Sequence, residues 1–166
     1  MLTQTQTGAL LHEDHMATIE TLQRLEEFLG RNRKPPALDQ AALEFLDGLA
    51  RTLRTEVESH FGFEENHLFP EFTRRGETGI VMMLTMEHRA ILPLAVQVAE
   101  LAAEAVQAGA FAEQAWRDFA DGGAELVERE IFHVQKEEMG LLAAISALLD
   151  ADADARLAET YRQTVG

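Results

Sequence analysis

A nine-residue pattern occurs twice in this chain and constrains its fold more than any other feature. HFGFEENHL, from His60 to Leu68, and HVQKEEMGL, from His133 to Leu141, both read H-x-x-x-E-E-x-x-L at an offset of 73 residues. A second pair shares that offset. EDHMA around His15 and MEHRA around His88 both place an acid, a histidine, one residue and an alanine in the same order. Two patterns repeating at one offset point to a duplicated helical hairpin, with an internal pseudo-twofold relation between its halves.

Helical periodicity runs through four long segments, without the alternation or β-branched clustering of strands. The first is expected from about Ala9 to Gly30, with Leu10, Ile19, Leu22, Leu25 and Leu29 as its apolar stripe and Gly30 as its stop. Asp39 caps the second, which runs to Pro70 with a remnant to Arg75. The third spans about Ile80 to Val106 and is kinked at Pro93; a turn at Gly109 leads to the fourth, from about Phe111 to Leu149. Gly122 and Gly123 are expected to bend or loosen that helix. The expected fold is all-α: one antiparallel up-down-up-down four-helix bundle over residues 1–150. Residues 151–166 form a short polar C-terminal helix or frayed tail, with no site residues in it.

The repeat selects six residues: His15, His60, Glu64, His88, His133 and Glu137. In each H-x-x-x-E, four residues advance ~400° around the helix and ~6 Å along it, so both side chains share one face. A lone histidine on an apolar face is ordinarily a hydrogen-bonded core or surface residue. Six metal-ligating residues repeating at one offset indicate a metal centre instead. Two carboxylates can each bridge two cations while four imidazoles supply two nitrogens to each. That donor set suits iron, manganese or zinc, and iron is the first choice because coordination positions left open beside a redox metal give the arrangement a function.

Other residues are placed around this set. Glu65 and Glu138 turn roughly 140° from the histidines, toward solvent or toward neighbouring ligands. Asp14 and Glu87 can hold neighbouring groups by hydrogen bonds, with solvated charge the simpler expectation. His12 and His67 lack counterparts in the repeat and are candidate accessory residues: a proton relay, an access gate or an extra ligand. Met82, Met83 and Met86 are expected to fill core gaps, Trp116 to be core, and Gly62 either to leave space near the metals or simply to pack. Tyr161, the only tyrosine, falls in the tail and is not expected near the metals.

The motifs EDH, HxxxEExxLFP, EH and HxxxEE make residues 8 to 150 similar to the hemerythrin-like, or HHE cation-binding, domain family. The closest resemblance is to the branch with four histidines and two bridging glutamates, which includes iron–sulfur cluster repair di-iron proteins. The resemblance implies His15, His60, Glu64, His88, His133 and Glu137 as ligands of two iron ions joined by an oxo or hydroxo bridge, with zinc or manganese as alternatives. The chain departs from the oxygen-carrying branch, since Leu84 stands four residues before His88 and Glu137 follows His133 as HxxxE.

Composition narrows the partners. The formal net charge of -15 repels nucleic acid and anionic membranes. The absence of cysteine excludes disulfides, thiolate sites and iron–sulfur ligation within this chain. No uninterrupted apolar run of membrane-spanning length and no leader pattern is visible, so a cytoplasmic location is expected. The expected function is binding of, or reaction with, oxygen, nitric oxide or hydrogen peroxide in stress defence or sensing, with a di-iron oxidoreductase acting on peroxide or nitric oxide as its enzymatic form. The alternative is an iron storage, delivery or iron–sulfur repair module without turnover; a structural zinc staple is a third reading. A redox partner or an iron acceptor would follow from the first two, and the sequence is silent on oligomeric state.

Overall fold

The computed structural model describes residues 4–165, without the side chains of residues 56 and 57. Five helices account for nearly all of it. The first, α1 (Gln6–Arg31), begins where the Thr5 side chain accepts a hydrogen bond from the Gly8 amide. It passes Gly30 by one residue. The second, α2, covers residues 40–74 and is capped by Asp39, whose carboxylate accepts from the Ala42 amide at 2.8 Å. The third, α3 (Gly79–Ala108), continues through Pro93 and closes at Gly109, whose φ of 74° needs the left-handed region that glycine enters freely. The fourth, α4, covers residues 113–148, and α5 (Ala151–Thr164) follows at once.

Two of these helices contain π-turns, each with one hydrogen bond widened to i→i+5. Glu64–Leu68 in α2 and Glu137–Leu141 in α4 are related by the 73-residue offset, and each begins at the first glutamate of the repeat motif. The Phe69 amide donates to the Glu64 carbonyl, and the Leu142 amide to the Glu137 carbonyl. In α2 the widened turn directly precedes Pro70 and absorbs its missing donor, so the helix passes through the proline. A further π-turn, Glu56–His60, has no counterpart in α4.

The first four helices pack in the expected antiparallel ring around two apolar clusters. Leu25, Phe28, Leu49, Ile91, Trp116 and Phe119 belong to one; Leu11, Phe63, Phe72, Leu84, Leu141 and Ile145 belong to the other. Along each of these four helices the repeated histidine falls where the two clusters meet. Gly122 and Gly123 do not loosen α4. A Cβ on Gly123 would stand 3.1 Å from Leu29 Cδ1, so the glycine allows close packing of α4 on α1. The methionines also depart from expectation. Met82, Met83 and Met86 are 65%, 42% and 66% exposed, because α3 carries more apolar residues than its inward face accommodates. By mean hydropathy α3 is the one described helix apolar enough to cross a bilayer; here its inner face carries Leu84, His88, Ile91 and Val98 into the bundle core.

The C-terminal segment is neither frayed nor free of site contacts. Ala153, Leu157, Ala158 and Tyr161 are buried, and Leu157 and Tyr161 join the second apolar cluster. Asp154 accepts from the Gln6 and Thr7 amides at 2.9 Å each, satisfying two donors at the start of α1 from the other end of the sequence. Asp154→Ala is therefore expected to cost about 1–2 kcal/mol, by loss of a helix-terminal carboxylate partner. Urea unfolding measures it, and an unchanged midpoint would show that the contact contributes nothing.

Candidate metal centre

Six side chains from four helices meet between the two apolar clusters. His15 comes from α1, His60 and Glu64 from α2, His88 from α3, and His133 and Glu137 from α4. Both glutamates are 0% exposed and the histidines 1–5%. All six sequence-selected residues are thus brought together.

Their Nε2 atoms all point inward. Glu64 lies 3.1 Å from His60 Nε2 through one oxygen and 3.1 Å from His88 Nε2 through the other. Glu137 does the same with His15 at 2.8 Å and His133 at 2.9 Å. Each glutamate therefore spans one histidine of its own helix and one from the other half of the repeat. Two donor groups result: His15, His60, Glu64 and Glu137, and then Glu64, His88, His133 and Glu137, each with donor atoms within 4.8 Å of one another. Both carboxylates belong to both groups.

The outward nitrogens are held by a second ring of carboxylates. His60 Nδ1 donates to Asp14 at 3.1 Å and His133 Nδ1 to Glu87 at 2.8 Å. His88 Nδ1 donates to Glu65 at 3.0 Å and His15 Nδ1 to Glu138 at 2.6 Å. The pairs Asp14/Glu87 and Glu65/Glu138 are again 73 residues apart. A carboxylate at Nδ1 keeps the proton there and leaves the Nε2 lone pair facing the centre, which is the tautomer a metal requires. All four acids thus act on the clustered histidines, where the sequence left solvation as the simpler expectation for Asp14 and Glu87.

Donor chemistry and spacing fit metal ions. Among the described residues, His15 Nε2 and all four oxygens of Glu64 and Glu137 are buried without a hydrogen bond of acceptable geometry, although their neighbours lie at contact distance. Only His88 Nε2 and His133 Nε2, 3.1 Å apart, lie in hydrogen-bonding geometry with each other among the inward histidine nitrogens of the described residues. Two donors each ~2.1 Å from an ion and at right angles stand about 3.0 Å apart. The N···O separations here are 2.8–3.1 Å within each bridging pair.

Without metal, protons take over the charge compensation. Burial alone pushes imidazoles toward neutrality and carboxylates toward protonation. Opposite charge outweighs it here. Glu137 holds His15 and His133 above their usual range, Glu64 and Asp14 hold His60 well above it, and the two glutamates raise His88 to about 10. Against burial and their mutual repulsion, contacts with the histidines keep Glu64 below the usual carboxylate range and Glu137 well below it.

Around the centre, the structure adds residues the sequence did not select. Phe61 stacks on His88 with ring centroids 3.9 Å apart, and Phe69 lies beyond at 5.7 Å. Tyr161, expected far from the site, donates its hydroxyl to Asp14. Its neighbourhood in the sequence carried no signal, since the contact depends on how α5 docks. His12 reaches the periphery, 2.8 Å from Glu138, with its side chain 47% exposed. His67 is exposed and lies against Phe63, outside either donor group. Gly62 faces open space rather than the metal positions, with only Asn66 near its missing Cβ. Between α1 and α2 a cleft of about 430 Å³, lined by Asp14, Ala17, Thr18, Thr52 and Thr55, reaches His60.

Residues 7–145 match the model of the hemerythrin HHE cation binding domain, which covers most of the chain. No curated protein matches it significantly.

The protonation pattern predicts how the metal-free protein responds to pH. Raised histidines contribute stability that is complete below their unfolded value near 6.5 and is lost as pH rises through the folded values, to about 10 for His88. Lowered glutamates contribute stability that is complete above 4.5 and is lost as pH falls through their folded values. Thermal unfolding in chelator should therefore peak between about pH 4.5 and 6.5. A maximum on the alkaline side would contradict the assignment.

Proposed function

We propose that this chain, which belongs to the hemerythrin HHE cation-binding domain family, is a non-haem di-iron protein that binds or reacts with a small neutral ligand in stress defence or sensing. Oxygen, nitric oxide and hydrogen peroxide are the candidates. The observation that carries this reading is the pair of donor groups sharing both Glu64 and Glu137. Two histidines and two carboxylate oxygens would give each ion four protein donors, and a six-coordinate ion would then keep positions for an exogenous molecule.

Iron in those positions would supply redox and Lewis-acid chemistry. The protein's own part is to hold, orient and enclose. Asp14, Glu65, Glu87 and Glu138 keep four Nε2 lone pairs directed inward, while Phe61, Phe69 and Leu84 exclude water. Leu84 is 0% exposed at the position where the oxygen-carrying branch has a further histidine. Complete burial of the bridging glutamates favours a retained centre over one that releases iron to an acceptor.

Ligand approach is favoured from one side. The α1/α2 cleft reaches His60, whereas its counterpart between α3 and α4 has Ile91 in place of Thr18 and is lined by Phe132 and Lys136 without reaching His133. The net charge of -15 disfavours anions and leaves neutral diatomics and peroxide as the better visitors.

Expression with iron should yield about two ions per chain and a near-ultraviolet band that changes on adding nitric oxide or peroxide. Fewer than one iron per chain, or a spectrum indifferent to all of these ligands, would overturn the proposal. Ala17→Phe, at the exposed wall of the α1/α2 cleft, should slow nitric oxide association about tenfold, equivalent to ~1.4 kcal/mol. Ala90→Phe, its counterpart in the other cleft, should leave the rate within about twofold. Stopped-flow absorbance makes the comparison, and equal slowing by both would exclude one-sided approach.

A further inference from the structure

Three of the four histidine–carboxylate pairs have a different group beyond the carboxylate. Glu138 meets the exposed His12, and Glu87 meets Lys136, whose side chain is 46% exposed. Asp14 meets Tyr161, which is only 5% exposed. The repeat makes Asp14 and Glu87 equivalents, so a buried neutral phenol on one side corresponds to a solvated ammonium on the other.

Tyr161 and His60 converge on a single atom. Both donate to Asp14 Oδ2. The Asp14 side chain is 34% exposed and sits on the flank of α1, where a carboxylate with one histidine contact can rotate toward water. A second donor on the same oxygen removes that freedom. Tyr161 is itself fixed, with its ring edge-on to Phe63 at 5.2 Å, and α5 is tied to α1 through Asp154.

We propose that Tyr161 is a positioning residue for the metal position formed by His15 and His60, acting through Asp14 on the His60 ring, so that docking of α5 and metal binding at that position are coupled. The proposal rests on the two-metal reading above. Coupling of this kind is reciprocal: if α5 docking strengthens the site, metal in the site strengthens α5 docking. The other metal position, whose His133 is held by Glu87 with Lys136 beyond it, has no contact of this kind with α5 among the described residues, and is linked to the first only through the shared Glu64 and Glu137.

Cobalt(II) titration of the metal-free protein, followed by visible absorbance, tests the proposal without turnover. Tyr161→Phe keeps the ring and removes the hydroxyl. One of two binding steps should weaken about tenfold or more while the other stays within about twofold, the scale seen when outer-sphere partners of metal-bound histidines are removed. Asp14→Asn should produce the same selective loss, and the double variant should lose no more than Asp14→Asn alone, because both changes act on one connection. Cobalt should also slow amide exchange in α5 of the wild type and do so less in Tyr161→Phe. Equal weakening of both steps, additive losses, or exchange in α5 indifferent to metal would each overturn the role of Tyr161. Wild-type protein that binds fewer than two cobalt ions would instead overturn the two-metal reading and this proposal with it.

Discussion

Two carboxylates with no solvent exposure, set in the middle of a helical bundle, govern the rest of this structure. Taking an ion of that size out of water costs several kcal/mol even after relaxation, and two placed together repel each other as well. Glu64 and Glu137 are tolerated only because four imidazoles surround them and because either protons or cations balance the charge. Apolar clusters above and below exclude water and so strengthen every one of these interactions. Folding and metal binding are therefore the same problem: the donors must be deprotonated toward the metal, and in its absence the fold retains the protons instead.

Duplication explains how one chain solves this with few residue types. A 73-residue shift relates the ligands, the carboxylates behind them and the π-turns that begin at Glu64 and Glu137. Within those turns, Glu65 and Glu138 each meet the outward nitrogen of a histidine on a neighbouring helix. Side chains adjacent in sequence thus serve successive layers of one site: Glu64 faces the metal positions, and Glu65 holds the ring that does the same.

Legibility follows the range of the interactions. Helix positions, the Asp39 cap, the Gly109 turn and the six converging residues depend on periodicity and repetition, both written locally. Asp14, Glu65, Glu87 and Glu138 were visible as neighbours of ligands, but their partners lie on other helices, so spacing could not choose between solvent and histidine. Gly123 looked like a weak point because intrinsic propensity counts its backbone freedom and not the Leu29 side chain it lets approach. The α3 methionines looked like core because hydropathy does not say which faces a helix has available. Nothing local distinguished Tyr161 or Asp154, whose contacts span nearly the whole chain.

Departures from the repeat carry what symmetry alone cannot provide. A faithful duplication would give two equivalent metal positions, equally accessible and equally tuned. Here Ile91 takes the place of Thr18 in the repeat, His60 borders a cleft that His133 does not, and Tyr161 stands where the other half has Lys136. The third difference comes from α5, which has no repeat partner because it follows the second hairpin. Its buried face could have been served by any apolar residue, yet the position above Asp14 holds the chain's only tyrosine, whose hydroxyl would otherwise be a polar group buried without purpose. The bundle brings two histidine–glutamate donor groups together, and the residues outside its symmetry give them different surroundings.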